Sequence, residues 1–586
     1  MLLERVTWVA SSLLGLVLLA FGSFGVSSAA ELKSLHAQNL LVESMDFMDK
    51  IYDRDAGYLY YFYYPLAAGQ HETRSSMWYA TGLLQRNRGD DVDQAVRIIK
   101  NIIGDQEKNE TLQWFGDYTV YPEQPTVGHG DYKPVIYSSW DPNWRGFIGT
   151  NLIVIYEEFG ALLPGDVKQL ILSSLYNATV GDSYRVGGVD DDNLYPSYSN
   201  PAIMRAVASG WTGRQCGDAN MTAAGETYAR EVLDLFDRNQ TLSEFNSGTY
   251  MGVSLYGLTL WAKYMPASGS DPSVMGVHGA RMIRQIWETA GKMYNANLGN
   301  LAGPWDRAYG YDMNKYVSIF SLYIWTLVGK ESTPGLSSGQ TWSMAHADDF
   351  EYAPLIAVLA PFHDALVPKD TVARLTAFSS LEGDGRDDEH TYMHTASAFS
   401  PPHDLAARNI TTWLSPELTI GAESFRESIV GGPREDSSQW NPAVVQWAHS
   451  SRSATHPSSN SNSEKKKKSV GYLTLYPTEP ALDAEVMPGN LNLTYPNGNA
   501  TSSFTFLVSA NPLGSAKRDL ASLEEDLDGV KIGVSGSVHP VPIISFCGLV
   551  GGSCKPIHGF EFWNFTYVMP ANSTAVPNIN LAINAE

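Results

Sequence analysis

Two loop segments carry side chains that could do acid–base chemistry, and the first leads directly into an apolar stretch. The first segment, 241–263, contains Glu244, Asn246 and Tyr250. The second segment, 301–316, contains Trp305, Asp306, Arg307, Tyr309, Tyr311 and Asp312. A pocket for sugar rings needs aromatic faces beside hydrogen-bonding groups, so we predict that both segments line one cleft. The alternative is a set of helix caps with a tyrosine-rich rim.

One chemistry that fits these residue types is β-elimination from a uronic acid. This reaction needs a group that neutralises the carboxylate, a base for the C5 proton and an acid for the leaving oxygen. Asn246 and Arg307 could neutralise the carboxylate, and Tyr250 or Tyr309 could transfer protons if the guanidinium favours a phenolate. His129, between two glycines of a long loop, is a further acid–base candidate or else a solvent-facing histidine.

Glycoside hydrolysis is the competing chemistry and needs two carboxyl groups. These lie roughly 5–5.5 Å apart in retaining enzymes and about 6.5–9.5 Å apart in inverting ones. Acids on the candidate site loops are Glu244, Asp306, Asp312, Asp141 and the triplet Asp190–Asp192. We expect Glu244 and Asp306 to be catalytic, and the sequence leaves open which two acids face each other. No Cys/His spacing indicates a zinc site, so we predict neither a metal nor a cofactor.

The elements that would position these groups are helices in the first part of the chain. From residue 36 to about 379, apolar residues recur at intervals of three and four, as at Leu40, Leu41, Met45 and Met48. Long loops rich in Gly, Pro, Asp and aromatic residues separate about a dozen such stretches. We therefore predict an (α/α) toroid over residues 31–384, with inner and outer helices around a central cleft.

Beyond residue 385 the pattern changes to short segments, mostly rich in β-branched and aromatic residues. Examples are 418–421, 443–447 and 471–476, separated by Pro, Asn and Gly. This pattern predicts an antiparallel β-sandwich over 385–586. The low-complexity run 450–468 is interpreted as an exposed insertion in a hairpin.

Composition and charge exclude some classes of partner. A chain of 586 residues that is 44% hydrophobic can bury a large core and form more than one domain. Its formal charge of −23 repels nucleic acid and anionic membranes, so neither is expected as a partner.

The N-terminus has the composition of a secretory signal. A charged start precedes an apolar run over 6–26 and small residues at 27–30, which predicts a signal peptide over 1–30 and a secreted, extracellular protein. No stable membrane association is then expected after cleavage. The alternative is an uncleaved anchor helix, because the apolar run is long enough to span a bilayer.

Glycosylation sites and cysteines agree with export. Cys547 and Cys554 flank a glycine-containing loop and are predicted to form a disulfide, which leaves Cys216 unpaired. Nine Asn-x-Ser/Thr sequons are present, and we predict glycosylation at Asn109, Asn177, Asn220, Asn239, Asn409, Asn492, Asn499, Asn564 and Asn572.

Four strings carry a family resemblance: WDPNWRGFIGT (140–150), YPSYSNPAIMRA (195–206), EFNSGTYMGVSLYGL (244–258) and GPWDRAYGYDM (303–313). They resemble a family of secreted eukaryotic proteins of uncharacterised function. More remotely, the toroid-plus-sandwich layout resembles polysaccharide lyases of the heparinase and chondroitin or hyaluronate lyase type. In those lyases an Asn or Gln, a Tyr, a His and an Arg line the cleft between the domains. The predicted substrate-binding residues are Trp140, Asp141, Tyr198, Asn200, Trp305, Tyr311 and Asp312.

These observations predict a secreted carbohydrate-active enzyme that cleaves a polysaccharide or oligosaccharide in the toroid cleft, by elimination or by hydrolysis. A non-catalytic glycan-binding or cell-wall-associated protein is the alternative from another class. A third hypothesis is a dehydratase or isomerase of a small apolar alcohol, because WDPNWRGFIGTNL and NPAI resemble the linalool dehydratase/isomerase type. Those enzymes use cysteines in the site, and the predicted helical region holds only Cys216.

The export prediction can be checked by mass spectrometry of the protein secreted from a eukaryotic host. We expect a mature chain that begins near Glu31 and carries N-linked glycans. Retention of residues 6–26, or nine bare sequons, would defeat the prediction of a soluble glycoprotein.

Overall fold

The structure is a computed structural model that describes residues 32, 34–61, 69–185, 194–308, 317–334, 347–378, 391–429, 439–449, 469–509, 522–524, 527–549, 551–557 and 560–585. Its first part is helical. The helices are α1 (Leu35–Met48), α2 (Thr73–Arg86), α3 (Asp91–Gly104), α4 (Asn143–Phe159), α5 (Gly165–Ser183), α6 (Ser199–Cys216), α7 (Ala219–Asn239), α8 (Gly248–Tyr264), α9 (Val274–Met293), α10 (Ile319–Val328), α11 (Ala353–His363) and α12 (Lys369–Thr376).

The helices form a closed ring with an outer layer, which confirms the predicted toroid. Around the inside, α2 packs on α4, α4 on α6, α6 on α8, α8 on α10, α10 on α11, and α11 returns to α2. Helices α3, α5, α7 and α9 each pack on the inner helix that precedes them in the chain. The short strands β1 (Tyr52–Asp53), β2 (Tyr58–Tyr60), β3 (His71–Glu72), β4 (Tyr294–Asn295) and β5 (Asn300–Leu301) form small hairpins beside the ring.

The two layers differ in sequence pattern because they differ in burial. Inner helix α8 is apolar around most of its circumference, and fourteen of its seventeen residues are buried. Outer helix α7 has one apolar stripe, and only five of its twenty-one residues are buried. A helix that is apolar all round can be stable in water only inside a protein, so this contrast assigns the layers.

The second part is one continuous antiparallel sheet of twelve strands. The order is β14-β17-β12-β11-β8-β9-β10-β13-β16-β15, and β7 pairs with both β6 and β8. The strands are β6 (Tyr392–Ala398), β7 (Arg408–Leu414), β8 (Leu418–Arg426), β9 (Ala443–His449), β10 (Ser469–Tyr476), β11 (Ala481–Met487), β12 (Asn490–Thr494), β13 (Ser503–Ser509), β14 (Val530–Gly536), β15 (Ile543–Cys547), β16 (Phe562–Val568) and β17 (Asn578–Ala585).

This sheet folds over its own core like a sandwich, as predicted. Alternate residues of its strands point inward, for example Phe504, Phe506 and Val508 of β13, and all three are buried. The predicted disulfide between Cys547 and Cys554 is present, and Cys216 is exposed and free.

Several predicted boundaries fall outside the described residues. These are the signal peptide at 1–30, the domain boundary at 384/385 and the insertion at 450–468. No single helix in the described part of the chain is long and apolar enough to cross a bilayer, although one bent pair, Asp349–Leu366 with Lys369–Thr376, meets the length and hydropathy requirement.

A buried ion cluster joins the two domains. Arg408 of β7 is 1% exposed and pairs with Asp306 of the helical part, with Asp404 at 3.2 Å and with Glu423 at 3.4 Å. Its Nη2 also donates to the carbonyl oxygen of Ser243 at 2.5 Å. One cation therefore pairs with three carboxyl groups. Burial raises the pKa of Asp306 and of Glu423 above the usual range, although the positive charge of Arg408 opposes that rise.

We predict that Arg408→Met destabilises the protein by about 3–5 kcal/mol at neutral pH, because it leaves buried carboxylates without their cation. A carboxyl whose folded pKa is raised contributes stability below its unfolded pKa and loses that contribution as pH rises. The deficit of the variant should therefore grow from acid to neutral pH. Urea unfolding at several pH values measures it.

Arg54→Met is the matched control, because Arg54 pairs with Asp90 at the surface and both side chains are more than half exposed. It should cost at most about 1 kcal/mol. An equal loss of unfolding free energy in both variants would contradict the predicted contribution of the Arg408 cluster.

Candidate functional site

The amino ends of the inner helices meet at one rim of the toroid. Trp144 at the start of α4 donates its indole N–H to Thr73 Oγ1 at the start of α2 (3.1 Å). Asn143 Nδ2 donates to the hydroxyl of Tyr198, just before α6 (3.2 Å). The N–H of Ser199 in turn donates to Glu244 Oε2, just before α8 (3.0 Å). This chain of contacts gathers the loops that carry the predicted site residues.

Glu244 ties α6 to the loop that enters α8. Its carboxylate accepts the backbone N–H groups of Ser199 and Asn200, at the amino end of α6 where negative charge is favoured. On the other side, Arg307 Nε lies 3.7 Å from Glu244 Oε1. The acid is 4% exposed, and burial raises its pKa to about 7 although Arg307 and the N–H groups oppose that rise.

The centre of the site is a guanidinium between two phenols. Arg307 Nη2 donates to the hydroxyl oxygen of Tyr250 at 2.9 Å. Its Cζ lies 4.7 Å from the ring centroid of Tyr250 and 5.6 Å from that of Tyr198. Arg307 and Tyr250 are each 9% exposed, and Tyr198 is half-buried. The expected meeting of the two loop segments is therefore observed, with Arg307 and Tyr250 at their junction.

Both loops use unusual backbone conformations at this junction. Asn246 has φ 56° and Arg307 has φ 52°, in the left-handed region that non-glycine residues rarely adopt. The amide of Asn246 donates to the carbonyl oxygens of Ala302 (2.7 Å) and Pro304 (2.9 Å). Ser247 caps α8 by accepting the N–H of Tyr250 and donates to the carbonyl of Arg307 at 3.1 Å. These bonds hold Arg307 against α8.

The structure corrects three predicted roles. Trp305 is fully buried and stacks on Tyr472 of β10 (centroids 5.4 Å apart), so its predicted role as a sugar platform is wrong. Asn246 donates both amide hydrogens to backbone carbonyls, so neither is available to bind a substrate carboxylate. Asp306 is 1% exposed and paired with Arg408, which places it in the domain interface and away from a substrate.

Other predicted residues lie at the rim or beyond it. Trp140 is buried against Trp114, and Asp141 accepts the N–H of Asn143 at the start of α4 (2.9 Å). Asn200 is buried, and its backbone N–H contributes to the cap around Glu244. His129 is exposed on its loop. Tyr309, Tyr311 and Asp312 lie outside the described residues.

The sequence interpretation missed several groups of the rim. Arg185 Nη2 donates to Asn143 Oδ1 at 3.2 Å, and Thr249 Oγ1 donates to Asp349, which follows α10 in a 3-10 turn. Arg74 was not missed, because the sequence leaves it open as a cap, a partner of Glu72 or a cleft residue. In the structure it stacks on Trp144 (4.6 Å to the centroid) and Trp78 (4.8 Å), and its Nη2 lies 3.4 Å from Glu72 Oε1. The available signal was an asparagine at a helix start, Asn143, and an arginine just after a helix end, Arg185, but the same pattern marks ordinary caps.

No group of three or more metal-ligating side chains occurs within the part of the chain that the structure describes. A mostly apolar pocket lies beside the 241–246 loop, lined by side chains such as Leu242, Phe245, Met251 and Ile286. None of the side chains that line this pocket titrates.

Among known proteins, the chain has a remote likeness to solved structures and matches two family models. The solved structures include an X-ray structure of a mutant of chondroitin AC lyase from Streptomyces coelicolor A3 that covers 95% of this chain and 80% of its own, at 9% identity and a TM-score of 0.37. No curated protein matches the sequence.

Two family models of unknown function match the two domains in turn. The model DUF8770 matches residues 388–584, which is the sheet domain. The model DUF8769 matches residues 38–361, which is more than half of the chain and nearly all of the toroid. The chain belongs to the DUF8769 family, a family of unknown function.

Proposed function

We propose that this protein is a secreted enzyme that cleaves a uronic-acid-containing polysaccharide by β-elimination. The observation that carries the proposal is the hydrogen bond from Arg307 to the hydroxyl of Tyr250, at the rim where both domains meet. Elimination needs a proton acceptor beside a cation, and this pair supplies both within 2.9 Å.

Tyr250 is the base that removes the C5 proton. Its hydroxyl oxygen accepts a hydrogen bond from the Arg307 guanidinium, which places the proposed proton acceptor directly beside a fixed positive charge. Arg307 also offers positive charge to the substrate carboxylate, which stabilises the carbanion-like charge that develops during proton removal. Glu244 lies 3.7 Å from the same guanidinium and keeps it oriented.

Hydrolysis is a second candidate, and the protonation of Glu244 favours it. A carboxyl whose pKa is raised to about 7 by burial is partly protonated at neutral pH, as a general acid must be. A second carboxyl is then needed, and Asp306, the predicted partner, is paired with Arg408. Because Asp306 is already paired with Arg408, we propose elimination before hydrolysis.

We predict that Tyr250→Phe lowers turnover of a uronic polysaccharide by about 10²–10⁴-fold, because the base is removed. Arg307→Met should cost about as much, since it removes the cation beside the base. Glu244→Gln should cost less, because it affects only the orientation of Arg307. The assay follows both the absorbance of the unsaturated product and the release of reducing ends.

Tyr176→Phe is the matched control, since Tyr176 lies half exposed on outer helix α5 near Asp218 and should leave turnover unchanged. Reducing ends without unsaturated product, abolished by Glu244→Gln and not by Tyr250→Phe, would replace elimination by hydrolysis. Binding of the polysaccharide without either signal would instead indicate a non-catalytic glycan-binding protein.

A further inference from the structure

We infer that Tyr198 is the second proton-transfer residue of the site, the acid that protonates the leaving oxygen while Tyr250 acts as the base. The inference rests on the proposed elimination and assigns a role to a side chain that had been expected only to bind substrate. Tyr309, the other phenol suggested for this task, lies outside the described residues.

The rings of Tyr198 and Tyr250 are neighbours. Their ring centroids are 6.3 Å apart with an interplanar angle of 31°, and one guanidinium contacts both rings. In a 4-linked uronide the proton to be removed is on C5 and the leaving oxygen is on the adjacent C4. Two acid–base groups that are neighbours can therefore serve both atoms of one sugar residue.

The hydrogen bond from Asn143 sets the direction of the Tyr198 hydroxyl. Arg185 can only donate, and it donates to Asn143 Oδ1, so the NH₂ end of that amide faces Tyr198. The phenol oxygen of Tyr198 is then the acceptor, and its own O–H points away from Asn143. A phenol held in this way presents its proton elsewhere, as an acid must.

The two phenols have different hydrogen-bond donors. The hydroxyl oxygen of Tyr250 accepts from the charged guanidinium of Arg307. The hydroxyl oxygen of Tyr198 accepts from the neutral amide of Asn143, and burial together with the neighbouring Tyr250 raises the pKa of Tyr198 well above its usual value. Tyr198 therefore keeps its proton, as an acid must before the reaction.

The proposed step balances without any further reactant. The Tyr250 phenolate takes the proton from C5, and the C5 electron pair forms the C4=C5 double bond. The bond from C4 to its oxygen breaks, and the Tyr198 hydroxyl gives its proton to that oxygen. One proton returned from Tyr250 to Tyr198 then restores the starting state.

A pair of substrates tests the role of Tyr198. One is an oligouronide whose leaving group is a sugar, and the other is a uronide with a 4-nitrophenyl ether at C4, which leaves as a stable phenolate without being protonated. Tyr198→Phe should lower turnover of the sugar-leaving substrate by about 10²–10⁴-fold and leave the nitrophenyl ether near the wild-type rate. Tyr250→Phe should lose both activities.

Asn143→Leu provides an independent variant, because Asn143 acts through Tyr198 and should show the same selectivity to a smaller degree. Thermal unfolding of each variant checks the fold. Equal losses on both substrates, or no loss on the sugar-leaving one, would overturn the role of Tyr198 while the proposed elimination stands. A wild-type enzyme inactive on both substrates would defeat the proposed function and this inference with it.

Discussion

The docking of residues 302–308 between the two domains is the constraint on which the site depends. The backbone of Trp305 pairs with Asn441 of the sheet domain, Thr412 donates to the carbonyl of Gly303, and Asp306 pairs with Arg408. Because the following residue is Arg307, the same contacts that join the domains deliver the guanidinium to Tyr250. The candidate site is therefore a product of the interface and does not belong to the toroid alone.

The buried Arg408 cluster and the strained backbone around Arg307 both cost free energy. They therefore position Arg307 more than they stabilise the fold. Three acids share the buried cation Arg408, and desolvation of such a cluster offsets most of its attraction. Asn246 and Arg307 also adopt left-handed backbone, which costs roughly 1–3 kcal/mol for each residue. The strained backbone lies at Asn246 and Arg307, and the buried charge lies at Arg408, which pairs with Asp306 next to Arg307. Both therefore fix the backbone that orients the Arg307 guanidinium.

Much of the fold could be predicted from the sequence, because apolar periodicity reports burial directly. The repeat of apolar residues in α3, or the alternation in β13, requires no knowledge of distant contacts. The burial of Trp305 in the domain interface could not be predicted, because its stacking partner Tyr472 is far along the chain. Likewise, the role of Asn246 depends on carbonyls of a loop that approaches only in the folded protein. Asn143 and Arg185 went unnoticed for the same reason, since their importance lies in which atoms they face.

The central claim is that Arg307 and the two phenols bind and process a uronide together. A crystal structure of the Tyr250→Phe variant with a bound oligouronide tests it most directly, because the variant should bind substrate without consuming it. We expect a sugar carboxylate at the guanidinium of Arg307, with the adjacent glycosidic oxygen beside the hydroxyl of Tyr198. An oligouronide bound away from Arg307, with its carboxylates turned to solvent, would contradict the account.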